Sequence, residues 1–393
     1  MKKETQKASL ALKFTIFLIV VLLLAASYFF SAKIEDFINF KYNKNALSTN
    51  IENVTLKVHF IDVDQADAIF IEFPTGEKML IDSGDNKASS QTKLENYLNN
   101  IDFKTEDGEK VLDYFVLTHS DADHIGGAVS IFENYKVKSC VRPNIKSKSE
   151  YAINEDVAST TTDIYDNVIK ALNEEVSQSG CQSQISTEGL IWKSKDYDES
   201  LLNNNNLIWK ISFLTPIASK LPYKNGSNFK YNNYSPLMML EYMNKKIMFT
   251  GDAEKEVEAD FVAYYSETLD DFDVDILKVG HHGSKTSSTL EFLQVLKPEY
   301  AIIEVGKNSH GHPSPETIEN LKAVGLTEND IYRTDKNGNI LVGITGEGEL
   351  RLVADYIQYI TFKFEWWEVF STGTVLAAII IFIPKKSYKK KRK

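Results

Sequence analysis

Two histidines and two aspartates fall within six residues at His119-Ser120-Asp121-Ala122-Asp123-His124. Neutral imidazole and carboxylate suit zinc, manganese or iron, and no cysteine stands in the stretch to bias it towards soft metals. Packed this closely without a cation, the carboxylates would repel one another and the polar groups would be desolvated. The chemistry indicated is therefore a divalent-cation site; the plainer alternative is a polar turn with helix-capping aspartates. The apolar run Tyr114-Phe115-Val116-Leu117 just before it reads as a buried strand, because it lacks polar alternation. Gly126-Gly127 just after it allows a tight turn. Four side chains on a loop leaving a strand can be aimed at one point.

The pattern His119-x-Asp121-x-Asp123-His124 resembles the signature loop of the metallo-β-lactamase fold, usually His-x-His-x-Asp-His, with Asp121 in place of the second histidine. Followed by Ile125-Gly126-Gly127, it is similar to the hydrolase domain of ComEC-type competence proteins and their stand-alone relatives. The resemblance continues in the family's order from about residue 56 to 353. The strand Leu56 to Val63 precedes Asp64-Gln65-Ala66-Asp67, where the family has a Gly-Gln-Gly-Asp turn; both glycines are replaced. Lys78-Met79-Leu80-Ile81-Asp82-Ser83-Gly84 matches its Leu-Ile-Asp-x-Gly ending, which implies that Asp82 orients the ligand loop. His59, on an alternating strand, reads as a structural histidine.

Further along, Asn232-Asn233-Tyr234-Ser235 resembles the family's Asn-Asn-x-Ser block, at a place where many such enzymes carry a metal-binding histidine. No histidine lies between His124 and His281, so one metal position is poorer in ligands than in a two-zinc enzyme. Strand Lys246 to Thr250 ends in Gly251-Asp252, and the resemblance assigns Asp252 the bridging of two cations; a helix cap is the other role open to it. Val274 to Val279 ends in Gly280-His281-His282-Gly283-Ser284. Adjacent histidines point apart, and similar enzymes with His-x-Ser at this corner favour His282 as the ligand and leave His281 to face substrate. His312, in Gly311-His312-Pro313, is open to a proton-donating or substrate-contacting role and equally to a loop role.

Helices are expected near 91–101, 164–176, 254–265 and 289–297. Residues 144–205 are rich in Ser, Thr, Asn, Asp and Lys and read as a surface insertion. Cys140 and Cys181 are the only cysteines; a disulfide and two free thiols are both open.

The ends differ from the middle. Phe14 to Phe30 is almost wholly apolar and follows Lys2, Lys3, Lys7 and Lys13; Val369 to Pro384 is apolar, follows Trp366-Trp367 and precedes a basic tail. Each is near the minimum of about 17 to 20 residues for a bilayer span. Basic flanks then place both termini in the cytoplasm. A cleaved signal peptide and a wall-sorting signal ending in Ser371-Thr372-Gly373 are the alternatives. The two tails carry 11 of 44 basic and one of 55 acidic side chains, leaving 33 basic against 54 acidic, about −21, between them. Binders of nucleic-acid backbone usually show a basic footprint, and composition shows none here.

The expectation is an α+β protein, an αββα sandwich of two mixed sheets flanked by two transmembrane helices. Its parts are a tail at 1–13, an anchor at 14–31, a linker at 32–53, a metallo-β-lactamase-like domain at 54–360 with the 144–205 insertion, a second helix at 366–384 and a basic tail at 385–393. His119, Asp121, Asp123, His124, Asp252 and His282 are expected to hold one or two zinc or manganese ions. Asp123 and His312 are expected to act in catalysis, and Asp82, His281, Asn233 and Ser235 to support ligands or meet substrate. The function implied is a membrane-anchored, extracellular metal-dependent phosphodiesterase acting on DNA or a cell-envelope polymer. No protein partner is inferable. The rival reading is a binding or sensing ectodomain with the same fold and no catalysis.

Overall fold

The computed structural model describes residues 2–29, 53–150, 158–160, 162–196, 208–268 and 272–355, with Thr374. The chain divides into two units, Met1–Ser48 with Tyr359–Lys393, and Thr49–Gln358. In the first, helix α1 spans Lys2–Phe29, and its side chains are described from 12 to 26. Leu12, Phe14, Leu18, Ile19, Leu22 and Leu23 are exposed on it. No helix among the described residues is long and apolar enough to cross a membrane. Helix α1 takes in residues 14–29 of the anchor expected at 14–31, and residues 30 and 31 lie outside the described residues. The helix expected at 366–384, the tail at 385–393 and nearly all of the linker at 32–53 lie outside the described residues.

The second unit carries two mixed sheets. In chain order its strands are β1 Val54–Phe60, β2 Ile69–Glu72, β3 Lys78–Ile81, β4 Glu109–Val116, β5 Tyr135–Arg142, β6 Gln182–Ile185, β7 Ile191–Lys193, β8 Trp209–Phe213, β9 Met238–Tyr242, β10 Lys245–Phe249, β11 Ile276–Lys278, β12 Tyr300–Ile303, β13 Ile331–Arg333, β14 Ile340–Thr345 and β15 Leu350–Ala354. The first sheet runs β15-β14-β1-β2-β3-β4-β5-β6 and the second β13-β12-β11-β10-β9-β8-β7. In each, an antiparallel half passes into a parallel half, at β3–β4 and at β10–β11. Sequence period explains the layering. Leu56, Val58, Phe60, Ile69, Ile71, Met79 and Ile81 pack between the sheets against Trp209, Ile211, Phe213, Met238 and Leu240. The alternate Phe70 and Leu80 face the helix side, with Leu94, Leu98 and Phe115. Strands buried on both faces read as near-continuous apolar runs, and β3 and β11 do.

The helices are α2 Ala88–Leu98, α3 Ala122–Ile125, α4 Ala128–Asn134, α5 Asp163–Ser179, α6 Lys255–Tyr264, α7 Leu290–Leu296, α8 Pro315–Ala323 and α9 Thr334–Asn337. The polar stretch after residue 144 holds more than surface loop. Tyr165, Val168, Ile169 and Leu172 of α5 join the core, and β6 and β7 close one edge of each sheet. Asn203 to Asn206 lie outside the described residues. Cys140 and Cys181 are buried free thiols.

At the outer face of the first sheet, Glu72 accepts from Lys57 at 3.1 Å and Lys78 at 2.9 Å, and lies 3.3 Å from His59 Nε2. His59 also meets Tyr97 Oη at 2.8 Å, the structural role its position suggested. Burial opposes charge on Glu72, but His59 and the two ammonium groups outweigh it and hold the carboxyl well below its usual range. A depressed carboxyl stabilises the fold above its unfolded pKa and ceases to as pH falls. Glu72→Gln should therefore lower the melting temperature at pH 7, with the gap to wild type closing as pH drops below 4.5. A gap that stays constant from neutral to acid would contradict this account.

Candidate metal centre

The ligand loop leaves β4, and α3 folds it back at once. Asp82, at the end of β3 with φ +57°, accepts Thr118 N at 2.9 Å and Thr118 Oγ1 at 2.7 Å, and lies 2.7 Å from His124 Nδ1. That contact turns His124 Nε2 towards Asp252 Oδ1, 3.2 Å away. Ser235 Oγ meets His119 Nδ1 at 3.2 Å and accepts Asp252 N at 3.2 Å, so one hydroxyl ties two sheet ends together. Asn233, fully buried, accepts Glu254 N at 3.0 Å and donates to Glu256 at 3.2 Å. Both block residues thus stand behind the loop carrying Asp252, away from the mouth. Asp252 caps no helix: α6 begins after Glu254, without a side-chain cap.

The paired histidines sit in left-handed backbone, φ +49° at His281 and +52° at His282, and their rings diverge. His282 is buried; its Nδ1 meets Glu304 O at 2.8 Å, which leaves Nε2 facing Asp123 Oδ2 at 3.4 Å and Asp252 Oδ2 at 3.9 Å. His281 is 22% exposed and meets Thr286 Oγ1 at 3.2 Å and Asn232 Nδ2 at 3.4 Å, with Nε2 3.6 Å from Asp252 Oδ2. His312 stands at the mouth, its ring centroid 5.4 Å from that of His281. Asn308 holds its backbone through N and O at 3.0 and 2.9 Å.

The donor set fits a divalent cation. His119 Nε2, His124 Nε2, His282 Nε2 and Asp252 Oδ1 are buried and make no protein hydrogen bond. Ligand atoms of His119, His124 and Asp252 lie within 4.8 Å of one another, as do those of Asp123, His124 and His282. Asp121 belongs to neither group; its half-exposed carboxylate lies 3.7 Å from His119 Nε2. Charge agrees. Burial would lower the pKa of His282, but Asp252 and Asp67 draw it up to about 10. Asp252 is held far below the usual carboxylate range: burial opposes this, and His124, His281 and His282 prevail. The pocket draws positive charge, whether protons or metal. Burial and the neighbouring His281 and His282 push His312 down to about 4, so its ring is neutral at neutral pH.

Three partners of the centre escape the sequence reading. Asp67, taken as part of a turn, lies 3.2 Å from His282 Nδ1, and Lys278 and Glu304 lie behind it. A signal existed: Lys278 ends β11 and Glu304 follows β12, each a charge set in an otherwise apolar run. The turn itself survives its lost glycines. Asp64 takes φ +68°, its side chain paired with Lys93 at 2.6 Å, and Gln65 Oε1 accepts Gly306 N at 3.0 Å. Beside His281, a cleft of about 390 Å³ is lined by Phe229, Lys230, Tyr231, Asn232 and Glu254.

Residues 61–187 match the family described as the metallo-beta-lactamase superfamily. ComE operon protein 3 of Bacillus subtilis (strain 168) is 30% identical over 296 residues, covering 72% of this chain and 32% of that protein. Recombination protein 2 of Haemophilus influenzae is 25% identical over 277 residues, covering 70% of this chain and 27% of its own. The chain thus spans about a third or less of the curated relatives it matches. Among solved structures, a point mutant of CmlA beta-hydroxylase aligns over 74% of this chain and 54% of its own, at 10% identity and a TM-score of 0.43.

Proposed function

We propose, from the premise that this chain is a metallo-β-lactamase-fold relative of ComEC-type competence proteins, that its cluster is the active site of a metal-dependent phosphodiesterase. The supporting observation is the set of four buried, unpartnered ligand atoms converging from the loops after β4, β10 and β11. Asp123, His124, Asp252 and His282 would hold one cation, and His119 with Asp252 a second, ligand-poorer one, with Asp121 at its edge. Bound there, a divalent cation lowers the pKa of water towards neutrality and polarises the bond to be cleaved. Asp123, a third exposed at the mouth, orients the attacking water. His312, neutral, offers its ring as a hydrogen-bonding and proton-accepting group, and a proton for the leaving oxygen has to reach it from solvent first. His281 and the cleft beside it flank the substrate, a DNA strand or an envelope polymer phosphodiester. The apolar ends with basic flanks support attachment to the cell membrane, with this domain outside the cell.

The test is metal content and turnover of the full-length protein after supply of zinc or manganese. One to two equivalents per chain and metal-dependent cleavage of a chromogenic phosphodiester are expected. Because His124 and His282 hold protons when metal-free, loading at pH 7 should release protons, and affinity should fall on acidification. A protein that takes up no metal would end the hydrolase reading and leave a binding module.

A further inference from the structure

Beneath the metal cluster lies a charged group that hydrolysis does not use. Lys278 ends β11 fully buried. Its Nζ is 2.8 Å from Asp67 Oδ2, 3.1 Å from Val279 O and 3.9 Å from Glu304 Oε2. Asp67 in turn approaches both metal-facing rings, 3.2 Å from His282 Nδ1 and 3.9 Å from His124 Nδ1. Neither ring depends on it. His282 Nδ1 has Glu304 O at 2.8 Å, and His124 Nδ1 has Asp82 at 2.7 Å. Asp67 Oδ1 accepts no hydrogen bond. A ligand atom of Asp67 lies within 4.8 Å of those of Asp252 and His282, a trio that could itself hold an ion. Asp67 thus has the reach of a ligand, and Lys278 is what faces it instead.

We infer that Lys278 is a positioning residue whose ammonium keeps Asp67 out of the coordination shell, so that the cation held by Asp123, His124 and His282 retains a place for water. The inference rests on reading the cluster as a metal centre. Without the ammonium, Asp67 and Glu304 would share a dry pocket, and once a cation has displaced the protons of His124 and His282 no other counter-charge faces them, which is costly. A cation loaded nearby is then the strongest partner available, and the Asp67 carboxylate turns to it. One more anionic ligand tightens binding and fills the open place.

The test uses the full-length protein with zinc and cobalt as the only probes. Lys278→Met should bind zinc about tenfold more tightly than wild type, as an added anionic ligand does. Its cobalt form should show the weaker visible bands of a higher coordination number. Asp67→Asn/Lys278→Met should return both to wild type. Loss of a merely structural lysine would weaken binding instead, and Asp67→Asn would not reverse it. Wild-type or weaker affinity in folded Lys278→Met, or no reversal in the double variant, overturns the inference. Should Lys278→Met not fold, Asp67→Asn alone decides. An unchanged cobalt spectrum supports the inference, and the spectrum of a lost ligand overturns it. No readout is turnover, so a wild type that binds cobalt yet cleaves no phosphodiester fails the hydrolase reading and leaves this one standing.

Discussion

Asp252→Ala is expected to abolish metal-dependent phosphodiester cleavage, by about 1,000-fold or more, equivalent to about 4 kcal/mol of transition-state stabilisation. Among the described residues, no other carboxylate approaches so many of the site's imidazoles. Its two oxygens lie 3.2 Å from His124 Nε2 and 3.6 and 3.9 Å from the Nε2 atoms of His281 and His282. Removing it deletes the group shared by both metal positions and leaves three imidazoles facing one another. Metal content should fall together with rate. The fold should persist, because Ser235 Oγ accepts the backbone N–H at 252, which alanine keeps. Circular dichroism checks the fold, elemental analysis the metal, and a chromogenic phosphodiester the rate. A folded variant with wild-type turnover would remove Asp252, and the centre built on it, from the mechanism.

The largest effect on stability is expected from Gly126→Ala. Its φ of −57° suits any residue, so the constraint is one of space. A Cβ there would lie 2.0 Å from Asn86 N, 2.3 Å from Asp85 C and 2.5 Å from Ala122 O. All three are backbone atoms that no rotamer change can move aside. The crowded seam is where the ligand loop docks on the loop after β3: Gly126 N donates to Gly84 O at 2.9 Å, and Ser83 N to His124 O at 2.6 Å. Forcing it open should cost about 3 kcal/mol, at the upper end for overpacking. The melting temperature should fall by about 5 °C or more. Prising the loops apart should also weaken the Asp82–His124 contact and with it metal affinity. Gly346→Ala is the control, since its Cβ would meet only Thr55 Cγ2 at 3.9 Å. Equal melting of the two variants would refute the argument.

Much of this architecture was legible because it rests on local rules. The apolar run at the end of β4 marked a buried strand and those at β3 and β11 marked strands, and clustered His and Asp at strand ends marked the edge where a site forms. What was hidden was hidden for identifiable reasons. Helix α8 is capped by Ser314 and begins at Pro315, a readable start signal, but its apolar positions are too few to show a period. Helix α3 lies within the ligand loop and α4 directly after it, and both are too short to show a period. The edge strands β6 and β7 hide in a polar stretch because an edge strand needs little apolar side chain. At the site, the residue types were readable and their partners were not. Whether His281 or His282 faces inward depends on two positive φ angles, which a sequence of two histidines does not announce. Asp67 is separated from Lys278 and Glu304 by more than two hundred residues, and only the meeting of the two sheets brings it to them.

The left-handed corner at His281 and His282 has a thermodynamic corollary. Non-glycine residues in that conformation cost about 1 to 2 kcal/mol each, and here two stand in succession beside carboxylates that repel one another. Whatever holds His282 in place therefore acts on folding as well as on catalysis. By mass action, a cation at 100 times its dissociation constant adds about 2.7 kcal/mol to the stability of the folded form. The denaturation midpoint of this chain should consequently climb with free zinc or manganese, and the fraction of molecules that survive proteolysis should vary with the ion supply of the compartment they occupy.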